Sequence, residues 1–524
     1  MKKVLFLITL ALMVSCSETE FRDIGSGFQA NVFFAPWDGL ASPTRFTCHS
    51  TAEKFFFNFE VVDSTLTIRE PFSGERDVEP EDRVEVFFSP DLKLKEYYCA
   101  EIDCLGRVLD YKAAFYRKFD FDWDFSSLSI WTSFTDFGYR VMGSIDIEEL
   151  NDLGIDTGGG FYMGVFQDDF KPDGSVHWYS LIPTDDVEPD FHKPDVFFGC
   201  RLLPKQERRG VVIYPSDVIS VGIDEWARRI ELSGINMVGI HAATENEPLD
   251  ELEAFVKSDL GKEFLALCSQ KGVDVEYEIH ALQELLPRDK FAEHPEWFRK
   301  DEEGNRQVEY NMCFTSEDAV RAMRPQVEAL LSWMHPTTHR YLIWPDDKIG
   351  MFCHCEKCRE YSPSEQVLIY ENNLLKLLRE YDPEATLAHL AYNQTLQAPE
   401  RVRASEGVFL EFAPINRDYS EPLPAEAQEA LMKNTLAFPT FSQHILEYWL
   451  DESMFSRWNR DALVPLPFNE DECARDIAAY RKTGASSVTA FATWLGGSYL
   501  EQFGATDDVF RQYGEAYGEL GSNN

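Results

Sequence analysis

Short apolar runs alternate with helical patterns throughout the second part of the chain. The predicted strands are Val211–Tyr214, Met237–His241, Val275–His280, Arg340–Trp344, Thr386–Tyr392, Val408–Phe412, His444–Trp449 and Ser487–Trp494. The predicted helices between them include Ile223–Leu232, Lys262–Lys271, Ala319–Leu331, Val367–Tyr381 and Glu472–Lys482. About eight strand–helix units over roughly 300 residues is typical of a TIM barrel. The pattern therefore predicts a (β/α)8 TIM barrel over residues 210–520.

The first part of the chain has a different rhythm, with strands that follow one another directly. Runs rich in aromatic and β-branched residues are separated by glycine, proline and aspartate clusters, which favours an antiparallel β-sandwich over residues 21–204. The clearest runs are Lys54–Val62, Arg83–Phe88, Tyr97–Ile102, Tyr139–Ile147 and Phe161–Gln167. The charged stretch Lys205–Arg209 lacks apolar periodicity and marks the predicted boundary. The predicted fold class is a multidomain chain, a sandwich followed by a barrel.

The predicted barrel strands end in acids, rings and other polar residues. These residues are Ser216, His241, Glu278, His280, Trp344, Asp346, Asp347, Tyr392, Asn393, Glu411, Glu447, Asp451 and Trp494. The carboxyl ends of barrel strands face one site, and a glycoside-cleaving pocket needs acids for proton transfer and rings for sugar faces. Each residue also has a plain structural interpretation. His280 could be a satisfied core histidine, and Glu447 could pair with an arginine.

The fourth predicted strand, Arg340–Trp344, ends in Pro345 and the adjacent acids Asp346 and Asp347. Two carboxylates this close cannot both ionise freely in a partly dry pocket, so one should stay protonated beside a charged neighbour. One acid would then donate a proton while the other holds the substrate. The alternative interpretation is an acidic turn, because turns favour aspartate for local hydrogen bonds.

Composition narrows the possible partners of the chain. Of its 524 residues, 44% are hydrophobic and 14% aromatic, which is typical of a globular protein. A formal net charge of −42 excludes nucleic acid as a partner, because so acidic a protein repels the phosphate backbone. Abundant acids and rings suit an oligosaccharide or polysaccharide, although a large aromatic core has the same composition.

The N-terminus has the pattern of a secretion signal. Lys2 and Lys3 precede the apolar run Val4–Val14, which is too short to span a bilayer as a mature helix. Leu12–Cys16 resembles a bacterial lipobox, and the resemblance implies a signal peptide over residues 1–16 and a lipid on Cys16. A lipid anchor would be the only membrane attachment. The expected location is the cell envelope, as an outer-membrane lipoprotein at the cell surface or on the periplasmic face.

Ten cysteines remain besides Cys16. Six of them lie in apolar surroundings typical of small core residues: Cys48, Cys99, Cys104, Cys200, Cys268 and Cys473. Cys353, Cys355 and Cys358 flank His354 at a spacing that zinc sites use, but the tight Cys-x-Cys is awkward for one tetrahedral ion. A local disulfide or free thiols are the other interpretations. Any of these roles would be structural, so no metal at the active site and no cofactor are predicted.

Three motifs of the sandwich resemble the family-9-like carbohydrate-binding modules. They are Asp82–Phe88, the stretch from Tyr97 to Asp110 with Gly106, and Pro189–Pro194 before Phe198 and Gly199. The resemblance implies a module in which exposed tryptophans grip a sugar. Trp123, Trp131 and Trp178 are the candidates here, and each could equally be a core residue.

Motifs in order through the barrel resemble the domain-of-unknown-function 4838 group, relatives of family-20-like glycoside hydrolases that include endo-β-N-acetylglucosaminidases. The matching stretches are His280 with Leu285–Arg288, His294–Arg299, Asn311–Cys313, Trp344–Asp347, Cys353–Cys358, Phe409–Arg417 and Leu446–Tyr448. The resemblance implies that Asp346 polarises the substrate's acetamide and that Asp347 is the general acid/base. This chain has Asp-Asp where Asp-Glu is commoner. Glu447 and Glu411 are the reserve acids.

Two functions are therefore expected. The first is an exported glycoside hydrolase that cuts at a β-linked N-acetylhexosamine by a substrate-assisted retaining mechanism. The second is a non-catalytic surface lipoprotein that binds glycans with both domains. The adjacent acids favour the enzyme, because a barrel that only binds has no need to keep them.

Overall fold

The computed structural model describes residues 21–242 and 248–518. The predicted signal peptide and Cys16 lie outside these residues. The chain forms two antiparallel-rich sheets followed by a closed barrel of eight strands, which confirms the predicted fold class. Within the described residues, no helix is both long enough and apolar enough to cross a membrane.

Fifteen strands form the sandwich. They are β1 Arg22–Asp23, β2 Phe28–Ala30, β3 Phe33–Ala35, β4 Leu40–Ser42, β5 Arg45–Ser50, β6 Lys54–Val62, β7 Arg83–Ser89, β8 Tyr97–Asp103, β9 Val108–Ala114, β10 Lys118–Asp120, β11 Ser129–Thr135, β12 Gly138–Asp146, β13 Phe161–Phe170, β14 Val176–Ser180 and β15 Phe198–Arg201. One sheet has the order β10-β9-β8-β7-β13-β14-β3-β4. Strand β15 also pairs with β13, and β1 pairs with β15. The other has the order β11-β12-β6-β5-β2. Helix α1, Ile147–Asp152, follows β12.

Strand β6 shows how the sandwich is packed. Phe55, Phe57 and Phe59 alternate along the strand and lie in the core between the two sheets, as the period of two requires. The residues between them are buried as well, because the outer face of this sheet packs against the barrel. On that face the Nδ2 of Asn58 donates to the carbonyl oxygen of Leu436, 3.4 Å away.

Eight parallel strands form the barrel. They are β16 Arg208–Ile213, β17 Met237–His241, β18 Asp274–His280, β19 Arg340–Trp344, β20 Thr386–Ala391, β21 Val408–Phe412, β22 His444–Glu447 and β23 Ser487–Phe491. The helices are α2 Pro215–Val221, α3 Ile223–Ser233, α4 Pro248–Lys257, α5 Asp259–Lys271, α6 Leu282–Leu285, α7 Glu317–Ala322, α8 Arg324–Leu331, α9 Pro363–Leu378, α10 Ala425–Ala437, α11 Glu452–Phe455, α12 Glu470–Arg481, α13 Gly497–Phe503 and α14 Asp507–Ala516. Strand β16 pairs with β23 and closes the barrel.

The predicted helix Ala319–Leu331 is wrong in one respect. The structure has two helices, α7 and α8, that meet at Met323. Pro325 lies in the first turn of α8, where its missing N–H costs nothing, whereas inside one continuous helix it would remove a hydrogen bond. The proline therefore starts a new helix.

A buried ion cluster joins the sandwich to the barrel. The carboxylate of Glu60 on β6 lies 3.0 Å from Arg140 and 2.6 Å from Arg403, which belongs to the barrel. Arg45 approaches the same carboxylate at 3.7 Å. Burial alone would raise the pKa of Glu60, but the three guanidinium groups together lower it. Paired charges of this kind specify one docking geometry more than they add stability.

Candidate functional site

Aromatic rings line the carboxyl end of the barrel. The His280 ring lies 4.9 Å from that of Trp344, and the His241 ring lies 5.5 Å from Trp344 and 5.3 Å from Phe491. Tyr448 stacks on Phe491 at 5.2 Å. These residues come from the ends of five strands. Four of the rings are buried and only His280 is partly exposed, so they form a packed aromatic layer beneath the barrel mouth.

Hydrogen bonds to the backbone orient both histidines. The Nδ1 of His241 lies 2.7 Å from the carbonyl oxygen of Glu278, and the Nδ1 of His280 lies 2.5 Å from that of Pro345. Because a carbonyl can only accept, each Nδ1 must carry a proton. Burial, reinforced by the neighbouring His280, lowers the pKa of His241 to about 3, so that ring is neutral.

Asp346 and Asp347 differ in their surroundings. The Asp346 carboxylate is 6% exposed and accepts hydrogen bonds from the backbone N–H groups of Gln283, at 2.8 Å, and Asn311. Its Oδ2 also lies 3.8 Å from Arg288. Asp347 is exposed, and its carboxylate accepts no hydrogen bond within residues 21–242 and 248–518. Asp346 is thus fixed in orientation, whereas the Asp347 side chain is exposed to solvent.

A long loop between β18 and β19 holds Asp346. The side chain of Asn311 accepts from the N–H of Asp346 at 2.8 Å and donates to the carbonyl of Met351 at 2.9 Å. Asn311 has a φ of 48°, a left-handed conformation that asparagine tolerates better than most residues. The Arg288 guanidinium donates to the carbonyl oxygens of Leu282, Gln283, Val308 and Asn311. The loop is therefore a rigid wall beside the acids.

Glu284, in α6, is an acid that the sequence analysis missed. Its carboxyl group is half-buried, and burial together with the charge of Asp346 raises its pKa. Only its place within the loop after β18 could have indicated it. A half-buried acid with a raised pKa is a second candidate for proton donation beside Asp346.

Tyr392 and Asn393 follow directly after β20, and Trp494 lies three residues beyond the end of β23. Burial raises the pKa of the half-buried Tyr392, and the negative charge of Asp347 raises it further. The Nδ2 of Asn416 donates to Asn393. The Arg460 guanidinium covers the Trp494 ring at 4.3 Å from its centroid.

Two buried aspartates, Asp217 and Asp451, accept hydrogen bonds from residues at the carboxyl end of the barrel. Asp217 accepts from the N–H groups of Tyr214, at 3.0 Å, and Trp494, at 2.8 Å, and burial raises its pKa to about 7. Asp451 accepts from the hydroxyl of Thr493 at 2.6 Å and from that of Ser453. Both carboxyl groups organise backbone turns at the strand ends.

Glu411 lies inside the barrel, under the rings. Its Oε2 accepts from the Nε1 of Trp344 at 2.7 Å, and burial raises its pKa to about 8. One ligand atom each of Glu278, Glu411 and His444 lies within 4.8 Å of the others, a spacing that could hold a metal ion. Both nitrogens of His444 already bond hydroxyls, those of Ser487 at 2.8 Å and Thr489 at 3.0 Å. The imidazole of His444 is thus already engaged, which argues against a metal site, and burial raises the pKa of both carboxyl groups.

Glu447 points away from the barrel mouth. His444 faces the barrel interior, so Glu447, three residues along β22, lies on the opposite face of the strand. It is fully buried, where Arg417 from the loop after β21 donates to it at 3.1 Å and the hydroxyl of Tyr480 on α12 donates as well. Burial raises its pKa to about 7. The structure thus gives this predicted catalytic acid a packing role behind the strand.

A fourth cysteine joins the three identified in the sequence. Cys313, from the long loop, lies with Cys353, Cys355 and Cys358 in a buried cluster. Its Sγ is 3.7 Å from that of Cys355 and 3.8 Å from that of Cys358. The sequence analysis missed Cys313 because it is 40 residues away from Cys353. The Asn311–Cys313 motif was the available signal.

The sandwich has a cavity of about 150 Å³ on the outer face of its larger sheet. Arg83 lies at its centre and contacts three carboxylates, those of Glu85 at 2.9 Å, Glu101 at 2.8 Å and Asp168 at 2.5 Å. Trp178, 36% exposed, forms part of the wall. Since the other sheet rests on the barrel, this cavity lies on the side of the sandwich that faces away from the barrel.

The three candidate tryptophans of the sandwich have different environments. Trp178 lines the cavity, whereas Trp123 packs on Tyr98 and Phe125 at the edge of the core. Trp131 is half-buried on β11 of the other sheet. The sequence analysis did not predict the charged residues that line this cavity. The spacing of Arg83 and Glu85 along β7 was an available signal, because residues two apart in a strand lie on the same face.

Comparisons with known proteins bear on both parts of the chain. A model of the family described as Domain of unknown function (DUF4838) matches residues 250–513, half of the chain. No curated protein matches the sequence.

Solved structures resemble the chain only distantly. A family 9 carbohydrate-binding module from Caldicellulosiruptor kristjanssonii in complex with glucose is 12% identical and matches 36% of this chain and 96% of its own, with a TM-score of 0.24. A family 5 glycoside hydrolase from Prevotella bryantii is 11% identical over 59% of this chain and 96% of its own, with a TM-score of 0.33. A β-galactosidase from Rahnella sp. R3 is 12% identical over 59% of this chain and 55% of its own, with a TM-score of 0.36. Similarity this low does not identify an activity.

Proposed function

We infer that this chain, which belongs to the DUF4838 family, hydrolyses glycosidic bonds at the mouth of its barrel. One observation carries the proposal. An exposed, unbonded acid, Asp347, follows directly on a rigidly held acid, Asp346, at the end of a barrel strand. Acid catalysis requires a group that can lose and regain a proton, and orientation requires one that cannot move.

The finer proposal is a substrate-assisted retaining mechanism at a β-linked N-acetylhexosamine. Asp347 donates its proton to the glycosidic oxygen while the bond from that oxygen to the anomeric carbon breaks. The acetamide carbonyl oxygen of the substrate forms a bond to the anomeric carbon in its place. Asp347 then takes a proton from water, the water oxygen attacks the anomeric carbon, and the acetamide is released with the β configuration retained.

Asp346 is assigned the acetamide in this mechanism. Two backbone N–H groups fix its carboxylate, so little rotational freedom is lost when it also accepts from the acetamide N–H. The partly exposed rings of His280 and Tyr392 supply the face against which the sugar packs, and the buried ring of Trp344 packs behind His280. Asn393 after β20 and Trp494 after β23 contribute further contacts, and Glu411 supports the Trp344 ring from below.

The proposal is tested by incubating the purified chain with N-glycans, chitooligosaccharides and an aryl N-acetylglucosaminide, followed by mass analysis of the products. Cleavage at an N-acetylhexosamine, with the β anomer formed first in the NMR spectrum, is the expected result. The α anomer as first product would contradict the retaining mechanism. No cleavage of any of these substrates would favour the alternative, a glycan-binding lipoprotein without catalysis.

The sandwich cavity supports a second function, the binding of a sugar. It combines an exposed ring, Trp178, with an arginine and three carboxylates that can contact hydroxyl groups. This function accompanies hydrolysis and would remain if the barrel were inactive. Calorimetric titration of the chain with mono- and oligosaccharides should detect binding in a variant that lacks Asp347.

Export and lipid attachment at Cys16 complete the proposal, and a glycan is the expected partner. The variant Cys16→Ser should leave the membrane fraction, because the lipid is the proposed anchor. Sedimentation of the variant with membranes after a salt wash would contradict lipid attachment at this residue.

A further inference from the structure

We propose that one zinc(II) ion binds behind the acid pair of the barrel mouth, held by the thiolates of Cys313, Cys353, Cys355 and Cys358. All four side chains are buried, and their four Sγ atoms lie within 4.8 Å of one another. Binding converts four thiols to thiolates and releases four protons.

The sulfur positions match a tetrahedral zinc site. Zinc–thiolate bonds of about 2.3 Å place the sulfur atoms about 3.8 Å apart in a regular tetrahedron. The sulfur of Cys313 lies 3.7 Å from that of Cys355 and 3.8 Å from that of Cys358. Four cysteine ligands leave no position for substrate or water, so the ion would be structural.

The surrounding backbone is arranged to receive negative sulfur atoms. The N–H of Lys300 points to the Sγ of Cys353 at 3.3 Å, and the N–H of Cys358 points to the Sγ of Cys355 at 3.5 Å. The hydroxyl of Thr315 lies 3.3 Å from the Sγ of Cys358. These contacts disperse the charge of a site with four thiolates and one divalent cation.

The geometry favours a metal over disulfides. The sulfur of Cys313 is almost equally far from two partners, so no single pair is selected, whereas a tetrahedral ion uses all four sulfurs alike. Each of the ten cysteines in the described parts of the chain is a free thiol in the structure. Soft thiolate ligands in a tetrahedron select zinc over the hard cations magnesium and calcium.

The ion would join two loops that hold the catalytic acids. Cys313 follows Asn311, whose backbone N–H donates to Asp346, by two residues. Cys353 follows Met351, whose carbonyl accepts from the side chain of Asn311, by two residues. A bond through zinc between these loops therefore fixes Asn311, and through it the orientation of Asp346.

Elemental analysis of the purified, unmutated chain tests the site directly. One zinc per chain is expected after dialysis without chelator, and Cys355→Ala should lower this content at least tenfold. The matched control is Cys268→Ala, a buried cysteine on α5 outside the cluster, which should keep its zinc. Replacement of zinc by cobalt(II) in the unmutated chain should add intense thiolate-to-cobalt absorption, a measurement that does not depend on the variant folding.

Two results would overturn the proposal. The first is a chain that stays free of zinc after incubation with the ion under reducing conditions. The second is a mass, measured without reductant, that shows disulfides among the four cysteines in the native protein. Removal of zinc from the unmutated chain should raise hydrogen exchange at the backbone N–H of Asn311. This result is expected whether or not the chain is an enzyme.

Discussion

The barrel mouth and the sandwich cavity both combine carboxylates with aromatic rings, but they hold the carboxylates differently. In the cavity, Glu85, Glu101 and Asp168 share one guanidinium, that of Arg83. At the mouth, Asp347 is exposed and accepts no hydrogen bond from any residue that the structure describes. A carboxylate locked in an ion cluster can contact a sugar hydroxyl but is poorly suited to carry protons. We therefore propose binding for the sandwich cavity and chemistry for the barrel mouth.

The largest effect is expected for Asp347→Asn, which tests the chemical half of the comparison. Loss of the general acid should lower kcat by about 10²–10⁴-fold on a substrate with a poor leaving group. Asp289→Asn, an exposed acid in the long loop between β18 and β19, is the matched control and should keep full activity. If Asp347→Asn retains more than a tenth of the wild-type kcat, the proton donor lies elsewhere, and Glu284→Gln is the next variant to measure.

Asp346→Asn should slow hydrolysis of an acetamido sugar by about 10²-fold or more while changing a slow side activity on the plain hexoside little. The reason is that only the first substrate has the group that Asp346 is proposed to polarise. A thiazoline that mimics the cyclised intermediate should inhibit the wild type strongly.

Asn311→Ala is the control for the structural role of Asp346. It loosens the loop by removing two side-chain hydrogen bonds, but it leaves the carboxylate in place. It should therefore affect both substrates alike. Equal losses on the two substrates for Asp346→Asn as well would contradict the acetamide role proposed for this residue.

Trp178→Ala tests the binding half of the comparison. Removal of a sugar-stacking ring should weaken glycan binding about two- to tenfold, from an aromatic contribution of roughly 0.5–1.5 kcal/mol. Hydrolysis of a small aryl glycoside should not change, because the cavity is lined by sandwich residues alone. Phe134→Ala, an exposed ring on β11 of the other sheet, should leave binding intact. Binding that is unchanged by Trp178→Ala would remove the sandwich cavity from the proposal.

The smallest effect concerns Glu411, an acid sealed inside the barrel. Burial raises its folded pKa to about 8, above an unfolded value of about 4.3, so its protonated form is favoured by folding. Its contribution to stability is present at low pH and is lost as pH rises through about 8. Glu411→Gln should therefore show a smaller fall in Tm between pH about 4.5 and 8, on the order of a few degrees. The exposed Glu501→Gln should follow the wild-type curve, and so would Glu411→Gln if Glu411 does not titrate in this range.

The periodicity of the chain was sufficient to predict most of the fold. Each of the eight barrel strands of the structure overlaps a predicted run, because buried parallel strands are short, apolar and closed by helical segments. The five predicted sandwich runs correspond to β6, β7, β8, β12 and β13, because aromatic and β-branched runs bounded by turn residues favour antiparallel strands. The break between α7 and α8 at Pro325 was overlooked, although proline is a local signal that a sequence displays openly.

The candidate site was only partly accessible from the sequence. The sequence by itself determined where the eight barrel strands lie, with ends that differ from the structure by up to three residues, since strand length and period depend on local pattern. Only the tertiary structure decided that Glu447 turns to α12, that Asp346 is held by Gln283 and Asn311, and that Arg83 gathers three acids. It also brought Cys313 to Cys355 across 42 residues. These facts depend on loop paths and strand faces, which are set by packing between distant segments and therefore leave no periodic trace in the chain.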